Sequence, residues 1–182
     1  ANEIDNIELL DTSSKDGHRI YIRGILYIMA KALNEVYPEA LLSVNYQLSS
    51  AMFCKIDNME ITDEMIANVK ARMQEIINQN LEIRKVVMTK EEAEEFYSNE
   101  KTLRGIVQID NTQKEGVSLY YCEDYFNYFF GVMPVTTAYT DVFDVIKYSD
   151  GFLVRYPSAE KPNELTNYKS MKFYYLFYCY FW

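Results

Sequence analysis

The sequence predicts an α+β domain built from one long helix and an antiparallel sheet. Three observations lead to this prediction: helical periodicity in the first half of the chain, short strand-like runs from Val117 onward, and turn residues between those runs. Helices and antiparallel strands that occur in separate runs are typical of the α+β class. The chain has 182 residues, of which 49% are hydrophobic and 15% aromatic, so it can bury a sizeable core.

The longest helix is predicted over about residues 19–37. Its apolar residues recur at helical spacing and form one stripe: Ile22, Ile25, Leu26, Met29, Leu33 and Val36. Pro38 ends the helix, because the residue before a proline is disfavoured in the helical conformation. Arg23 and Tyr27, four residues apart, share a flank beside the stripe. His18 precedes the predicted helix in a polar turn, and we expect it to be solvated.

The other elements follow from cap, turn and alternation signals. Thr62 caps a second helix, and the T-x-x-E pattern of Thr89 and Glu92 begins a third, which runs to about Tyr97. In order, the predicted elements around these caps are a leading strand at 3–10, strands at 41–48 and 51–56, the second helix to about residue 80, a strand at 82–88, a polar connection at 99–116, and the strand-like runs VSLYYCED, NYFFG, DVFDVIKY and GFLVRYP.

Composition restricts the classes of function. The formal net charge is −9, and the basic residues are scattered, so nucleotide or tRNA binding has no support from the overall charge. No run approaches the roughly 18 apolar residues of a membrane span, and the first residues lack a secretory signal. We therefore expect a cytoplasmic protein without a membrane segment. Cys54, Cys122 and Cys179 lack CxxC spacing and are predicted to be buried thiols.

The common catalytic patterns are absent from the sequence. It contains no phosphate-binding loop, no GxGxxG turn, no GxSxG elbow and no HExxH pair. Because His18 is the single histidine, His-dependent triads and His-rich metal sites are largely excluded. The acidic run at residues 91–95 is predicted to be a solvated helix face rather than a metal site. We expect neither a metal nor a cofactor in this chain.

The order of elements and several sequence runs resemble a known domain. These runs are TDEMI, MQEII, NLEIRK and TKEEAEEF after the long helix, and SLYYCEDYFNYFFGVMP later. Together they are similar to the editing-type domain shared by threonyl- and alanyl-tRNA synthetases. The resemblance covers about residues 8–157 and rests on a long pattern rather than on one short motif. It implies the α+β fold of that domain.

In the synthetases, this domain hydrolyses mischarged tRNA with an HxxxH motif on the long helix and a later Cys-x-x-x-His motif. The resemblance puts Arg23 and Tyr27 at the two helix histidines, and Phe129 and Met133 at the cysteine and histidine. Asn127 stands where the family has an acidic residue. These five residues are the candidate pocket, for which we predict no catalytic residue and no metal, because none of them is a zinc ligand or a general base. The guanidinium groups of Arg19 and Arg23 are candidate anion-binding groups.

The stretches DGHRIYIRGI, VNYQLS and DGFLVRYP look more like one branch of this superfamily, the region found N-terminal to the kinase domain of bacterial uridine or nucleoside kinases. The resemblance implies a synthetase-like domain at residues 1–160 and an aromatic tail at 161–182 that leads to a kinase domain. That kinase would be the partner and would use ATP and Mg²⁺. The prediction is a non-catalytic domain for ligand binding, regulation or domain packing. The alternatives are a degenerate aminoacyl-tRNA deacylase and an interaction or dimerisation module that forms a homo-oligomer.

Overall fold

A computed structural model describes residues 11–98 and 116–166. The elements are α1 (Lys15–Val36), β1 (Leu42–Gln47), β2 (Ala51–Ile56), α2 (Asp63–Asn78), β3 (Arg84–Thr89), α3 (Lys90–Ser98), β4 (Gly116–Cys122), β5 (Tyr125–Tyr128), a short 3-10 helix (Thr137–Thr140), β6 (Asp144–Tyr148) and β7 (Gly151–Arg155). The leading strand predicted at 3–10, the connection at 99–115 and the tail from 167, with Cys179, lie outside the described residues. The domain boundary after residue 160 stays a prediction.

Helix α1 begins four residues earlier than the sequence analysis predicted. Ser14 is its N-cap, and its hydroxyl accepts a hydrogen bond from the Gly17 amide at 3.1 Å. His18 therefore lies in the first turns of the helix, and its placement in a solvated turn was wrong. Its imidazole is half-buried, and its ring packs edge-on against Tyr156 at 5.9 Å.

The apolar stripe predicted for α1 understates how deeply the helix is buried. Every residue from Gly24 to Leu33 is buried, whereas two members of the predicted stripe, Ile22 and Val36, are only half-buried. A helix buried around its whole circumference occupies the centre of a fold rather than one surface. The contacts of α1 agree with this, because α2 and β7 pack against it, and so does the 3-10 helix.

The strands form two antiparallel sheets, which confirms the predicted α+β class. Sheet 1 has the order β1-β2-β7-β6, so hairpins from distant parts of the chain meet where β2 pairs with β7. Sheet 2 has the order β3-β4-β5. The predicted capping box joins β3 to α3, because the Thr89 amide donates to the Glu92 carboxylate and the Glu92 amide donates to the Thr89 hydroxyl.

Two core clusters surround α1. The larger contains buried residues of α1, α2 and sheet 1, among them Ile25, Met29, Met73, Phe152 and Val154. The second joins α1 to sheet 2 and consists of Tyr27, Ile83, Tyr120, Cys122 and Met133. The chain after β5 also packs closely on α1, because a Cβ atom on Gly24 would lie 2.6 Å from the Pro134 ring. Helix α1 is thus enclosed by both sheets and by the segment at 129–140.

The burial of the Cys54 and Cys122 thiols was also predicted. Cys54 and Cys122 are free and buried, and burial raises the pKa of the Cys54 thiol to about 12. Such a thiol stays protonated at neutral pH and is a poor nucleophile. In the part of the chain that the structure describes, no helix is long and apolar enough to cross a membrane.

Candidate functional site

Tyr27 lies at the centre of the candidate site and is completely buried. Its exposed fraction is 0%. Its hydroxyl donates to the Tyr120 carbonyl at 3.0 Å and lies 3.2 Å from the Tyr125 carbonyl. Its ring packs edge-on against the rings of Tyr125 and Phe129, at 5.3 Å and 5.8 Å. Every part of the side chain is therefore occupied by contacts within the protein.

Phe129 and Met133 complete the packing around Tyr27. Met133 is buried in the same cluster as Tyr27, and Phe129 is partly buried and packs against both this cluster and the main core. The structure thus brings together three of the five predicted pocket residues. They form a core of packed side chains at the position where the resemblance implies a catalytic centre.

Arg23 lies one turn before Tyr27 and holds the loop after β5. Its Nη1 atom donates to the Val132 carbonyl at 3.1 Å, and its guanidinium lies against Gly131, where a Cβ atom would be 2.7 Å from Cζ. Gly131 has φ +103°, which L side chains rarely adopt. The Tyr120 hydroxyl donates to the Gly131 carbonyl at 2.5 Å. Within the described ranges, no carboxylate lies within ion-pair distance of Arg23.

The other two candidates lie at the edge of the site. Asn127 is half-buried, and its amide donates to the Tyr125 hydroxyl at 2.9 Å rather than pointing at Tyr27. Arg19 is 55% exposed and lies 3.5 Å from the Asp16 carboxylate. An exposed ion pair of this kind contributes little to stability. Arg23, with its other guanidinium donors outside any ion pair, is therefore the stronger of the two candidate anion-binding groups.

The electrostatics of the site oppose proton transfer by its tyrosines. Burial raises the pKa of the Tyr27 hydroxyl far above its ordinary value of 10.0, and nearby hydroxyl and thiol groups raise it further. Burial also raises the pKa of Tyr120, which the charge of Arg23 offsets only in part. Both hydroxyl groups stay protonated at neutral pH, so neither can act as a general base.

The described residues offer no metal centre. No group of three or more His, Cys, Asp or Glu side chains in the described ranges is placed to hold a metal ion. The acidic face of α3 includes Glu92, whose carboxylate accepts a hydrogen bond from the Thr89 amide as part of the capping box.

The sequence analysis missed Lys31, the buried cation one turn after Tyr27. Only 2% of its side chain is exposed, and Nζ lies 2.7 Å from the Glu35 carboxylate and 3.1 Å from that of Glu123. It also donates to the Cys122 carbonyl at 3.3 Å. Arg72 on α2 contacts Glu35 at 2.6 Å and extends the network. The signal in the sequence was the spacing of Lys31 and Glu35, four residues apart on one helix.

The pKa shifts of this network show which charges depend on each other. Burial lowers the pKa of Lys31, but hydrogen bonds to Glu35 and Glu123 more than offset this, so its pKa lies above the ordinary value. Burial raises the pKa of Glu35, but hydrogen bonds from Lys31 and Arg72 more than offset this, so its pKa lies below 4.5. Lys31 and Glu35 are therefore both charged at neutral pH.

We predict that the double substitution Glu35→Gln and Glu123→Gln destabilises the protein more than Lys31→Met does. The double substitution leaves a buried ammonium without a counter-charge, which costs about 3 kcal/mol. Lys31→Met removes the buried charge and leaves the two carboxylates in contact with water, so its cost stays within about 1 kcal/mol. The measurement is the free energy of unfolding in urea at pH 7.

The same variants test the pH dependence. The lowered pKa of Glu35 stabilises the folded state above its ordinary pKa of 4.5, and this contribution is lost as the pH falls through the folded-state value. The difference between the wild type and the double variant therefore narrows below about pH 4.5. Equal losses of stability for Lys31→Met and the double variant at pH 7 would contradict this account.

Comparison with known proteins gives one consistent relationship. No model of a known protein family matches the chain. The chain is 27% identical over 117 residues to a threonine–tRNA ligase from Clostridium acetobutylicum. This match covers 64% of this chain and 18% of the ligase. For threonine–tRNA ligases from Fusobacterium nucleatum and Sulfurihydrogenibium sp., the identities are 24% over 140 residues and 26% over 157 residues. These matches cover 75% and 83% of this chain, and 23% and 24% of those proteins.

The matched segment spans between about a fifth and a quarter of the length of these relatives. The mixed helices and antiparallel strands of the chain are consistent with an editing-domain-like fold. The chain therefore contains a domain similar to one segment of the threonine–tRNA ligases.

Proposed function

We propose that this chain is a non-catalytic, synthetase-like domain that serves ligand binding, regulation or domain packing within a larger protein. The observation that supports this most directly is the burial of Tyr27, whose hydroxyl contacts only backbone carbonyl groups. Hydrolysis of an ester requires a general base or a metal-bound water that faces the substrate. Packed phenyl and thioether groups, such as those of Phe129 and Met133, supply neither.

The parent protein that we propose is a nucleoside kinase, in which this domain precedes the kinase domain. The proposal rests on the resemblance of DGHRIYIRGI, VNYQLS and DGFLVRYP to that branch. The synthetase-like domain would then span residues 1–160, and residues 161–182 would lead to the kinase. ATP and Mg²⁺ would bind to the kinase domain and not to this one.

Arg23 is the residue that we propose for contact with a ligand. Among the described residues, its guanidinium donates one hydrogen bond, from Nη1 to the Val132 carbonyl. Phe130 and Val132, which flank Gly131, are both exposed. A guanidinium with free donors beside exposed apolar groups suits a small ligand with an anionic group and a ring. Phosphate or carboxylate is the anion that a planar guanidinium fits best.

The alternative function is aminoacyl-tRNA deacylation. The names of the similar proteins favour it, since they are threonine–tRNA ligases. It requires a catalytic group other than the buried Tyr27. Among the five candidate pocket residues, Arg23 alone is charged, and it is half-buried. An arginine stays protonated, so it cannot act as a general base.

We predict that the purified chain does not hydrolyse mischarged threonine tRNA faster than buffer does. The reason is that the candidate site has no group able to activate water. The measurement is the loss of labelled amino acid from the tRNA over time. Hydrolysis that scales with protein concentration and falls in both Arg23→Ala and Tyr27→Phe would contradict the non-catalytic proposal and favour the deacylase.

We predict that binding of a small anionic ligand, measured by isothermal titration with UMP and with inorganic phosphate, depends on Arg23 and not on Arg19. Loss of a charge-assisted hydrogen bond costs about 1.5–3 kcal/mol, so Arg23→Ala weakens binding by about tenfold or more. Arg19→Ala is the matched control, because Arg19 lies one turn earlier on α1 and contacts Asp16. Equal binding by the wild type and Arg23→Ala, or no saturable binding, would exclude Arg23 as the ligand contact.

We predict that the reading frame continues past the Trp182 codon into a kinase domain with a phosphate-binding loop. The measurement is the nucleotide sequence of the gene on the 3′ side of that codon. A stop codon immediately after Trp182, or a downstream domain without such a loop, would refute the kinase parent. Neither result would bear on the non-catalytic proposal, which the deacylation experiment tests separately.

A further inference from the structure

Strand β1 is an outer strand of sheet 1, and its far edge has no strand partner among the described residues. It pairs only with β2. The Leu41 carbonyl accepts a hydrogen bond from the Asp57 amide at 2.9 Å, so that residue turns its hydrogen-bonding groups toward β2. Because these groups alternate along an antiparallel strand, Leu42 and Val44 turn theirs outward. The edge therefore offers backbone donors and acceptors to another strand.

The side chains of β1 give this edge little protection against pairing. Its sequence, LSVNYQ, contains no charged residue, and Val44 and Tyr46 are 47% and 49% exposed. Natural edge strands are commonly protected by charges, by shortness or by a bulge. Strand β3 carries Arg84 and Lys85, β6 carries Asp144 and Lys147, and β5 has only four residues. Strand β1 has one bulge between Val44 and Tyr46, which leaves Leu42 to Val44 in regular pairing.

The charged side chains next to this edge have partners within the chain. Lys55 on β2 forms an ion pair with Asp150, and the Ser43 hydroxyl donates to the Asp57 carboxylate at 2.5 Å. The whole chain carries a formal net charge of −9, so two copies repel each other over most of their surfaces. A contact between two copies is favoured where the surfaces that meet carry few charges, and strand β1 itself contains no charged residue.

We propose that two copies of this chain associate by antiparallel pairing of their β1 strands. A two-fold axis places the same strand on both sides of the contact, so the uncharged edge meets itself. The pairing joins two four-stranded sheets into one continuous sheet and covers Val44 and Tyr46 of each copy. It uses no residue of the candidate site, so it is independent of the proposed function.

The experiment is sedimentation velocity of the full 182-residue chain over a wide range of concentrations, with two matched variants. We expect a monomer–dimer equilibrium for the wild type. Val44→Lys introduces a charge at the edge and is expected to raise the dimer dissociation constant by about tenfold or more. Val87→Lys is the control, because Val87 lies on the outer strand β3 of the other sheet and is 63% exposed. It is expected to leave the dissociation constant unchanged.

A second measurement keeps the proposal testable should Val44→Lys fail to fold. Hydrogen exchange of the wild type is expected to slow at the amides of β1 as the concentration rises, with no change in β3. A wild type that stays monomeric at every concentration would overturn the proposal. So would a dimer that Val44→Lys leaves intact, or one that Val87→Lys dissociates, or one whose formation does not protect β1.

Discussion

The enclosure of helix α1 is the constraint on which the rest of the structure depends. Every residue of the helix from Gly24 to Leu33 is buried, because both sheets and the segment after β5 pack around it. A helix in that position must satisfy each polar side chain internally, since an unpaired polar group in a core costs free energy. Two long polar side chains, Tyr27 and Lys31, therefore dictate what their neighbours contribute.

Those neighbours come from the β4–β5 hairpin. Tyr27 uses the carbonyl groups of Tyr120 and Tyr125, and Lys31 uses the Cys122 carbonyl and the Glu123 carboxylate. One hairpin thus supplies partners for both side chains, and its position against α1 is fixed by hydrogen bonds as well as by packing. The same contacts fill the position of the candidate site. The hydrogen bonds that fix this part of the fold are therefore also the contacts that occupy the Tyr27 side chain.

Much of the fold could be predicted from the sequence, because its signals are local. The caps at Thr62 and Thr89 mark the starts of α2 and of the capping box at α3. The two strands of the β1–β2 hairpin follow from the alternation of apolar and polar residues. The start of α1 was misplaced because the cap at Ser14 precedes a polar first turn that carries no apolar periodicity. The full burial of α1 could not be predicted, since it depends on a sheet formed by residues about a hundred positions away.

The candidate site shows the same division. Sequence reasoning brought Tyr27, Phe129 and Met133 together, because the resemblance aligned distant segments that local patterns cannot connect. It did not find Lys31, whose importance comes from burial rather than from residue type. It also gave no indication that Asn127 would turn to Tyr125.

A domain whose centre is filled can still act through its surface, and the described surface offers two different chemistries. Arg23 presents a cation beside exposed apolar groups of the segment after β5, whereas β1 presents an uncharged backbone edge on sheet 1. The first suits a small anion and the second suits another strand. Because the two surfaces share no residue, a ligand at Arg23 and a second copy at β1 can be present at the same time. Helix α1 connects the two regions, because it carries Arg23 and packs against both sheets.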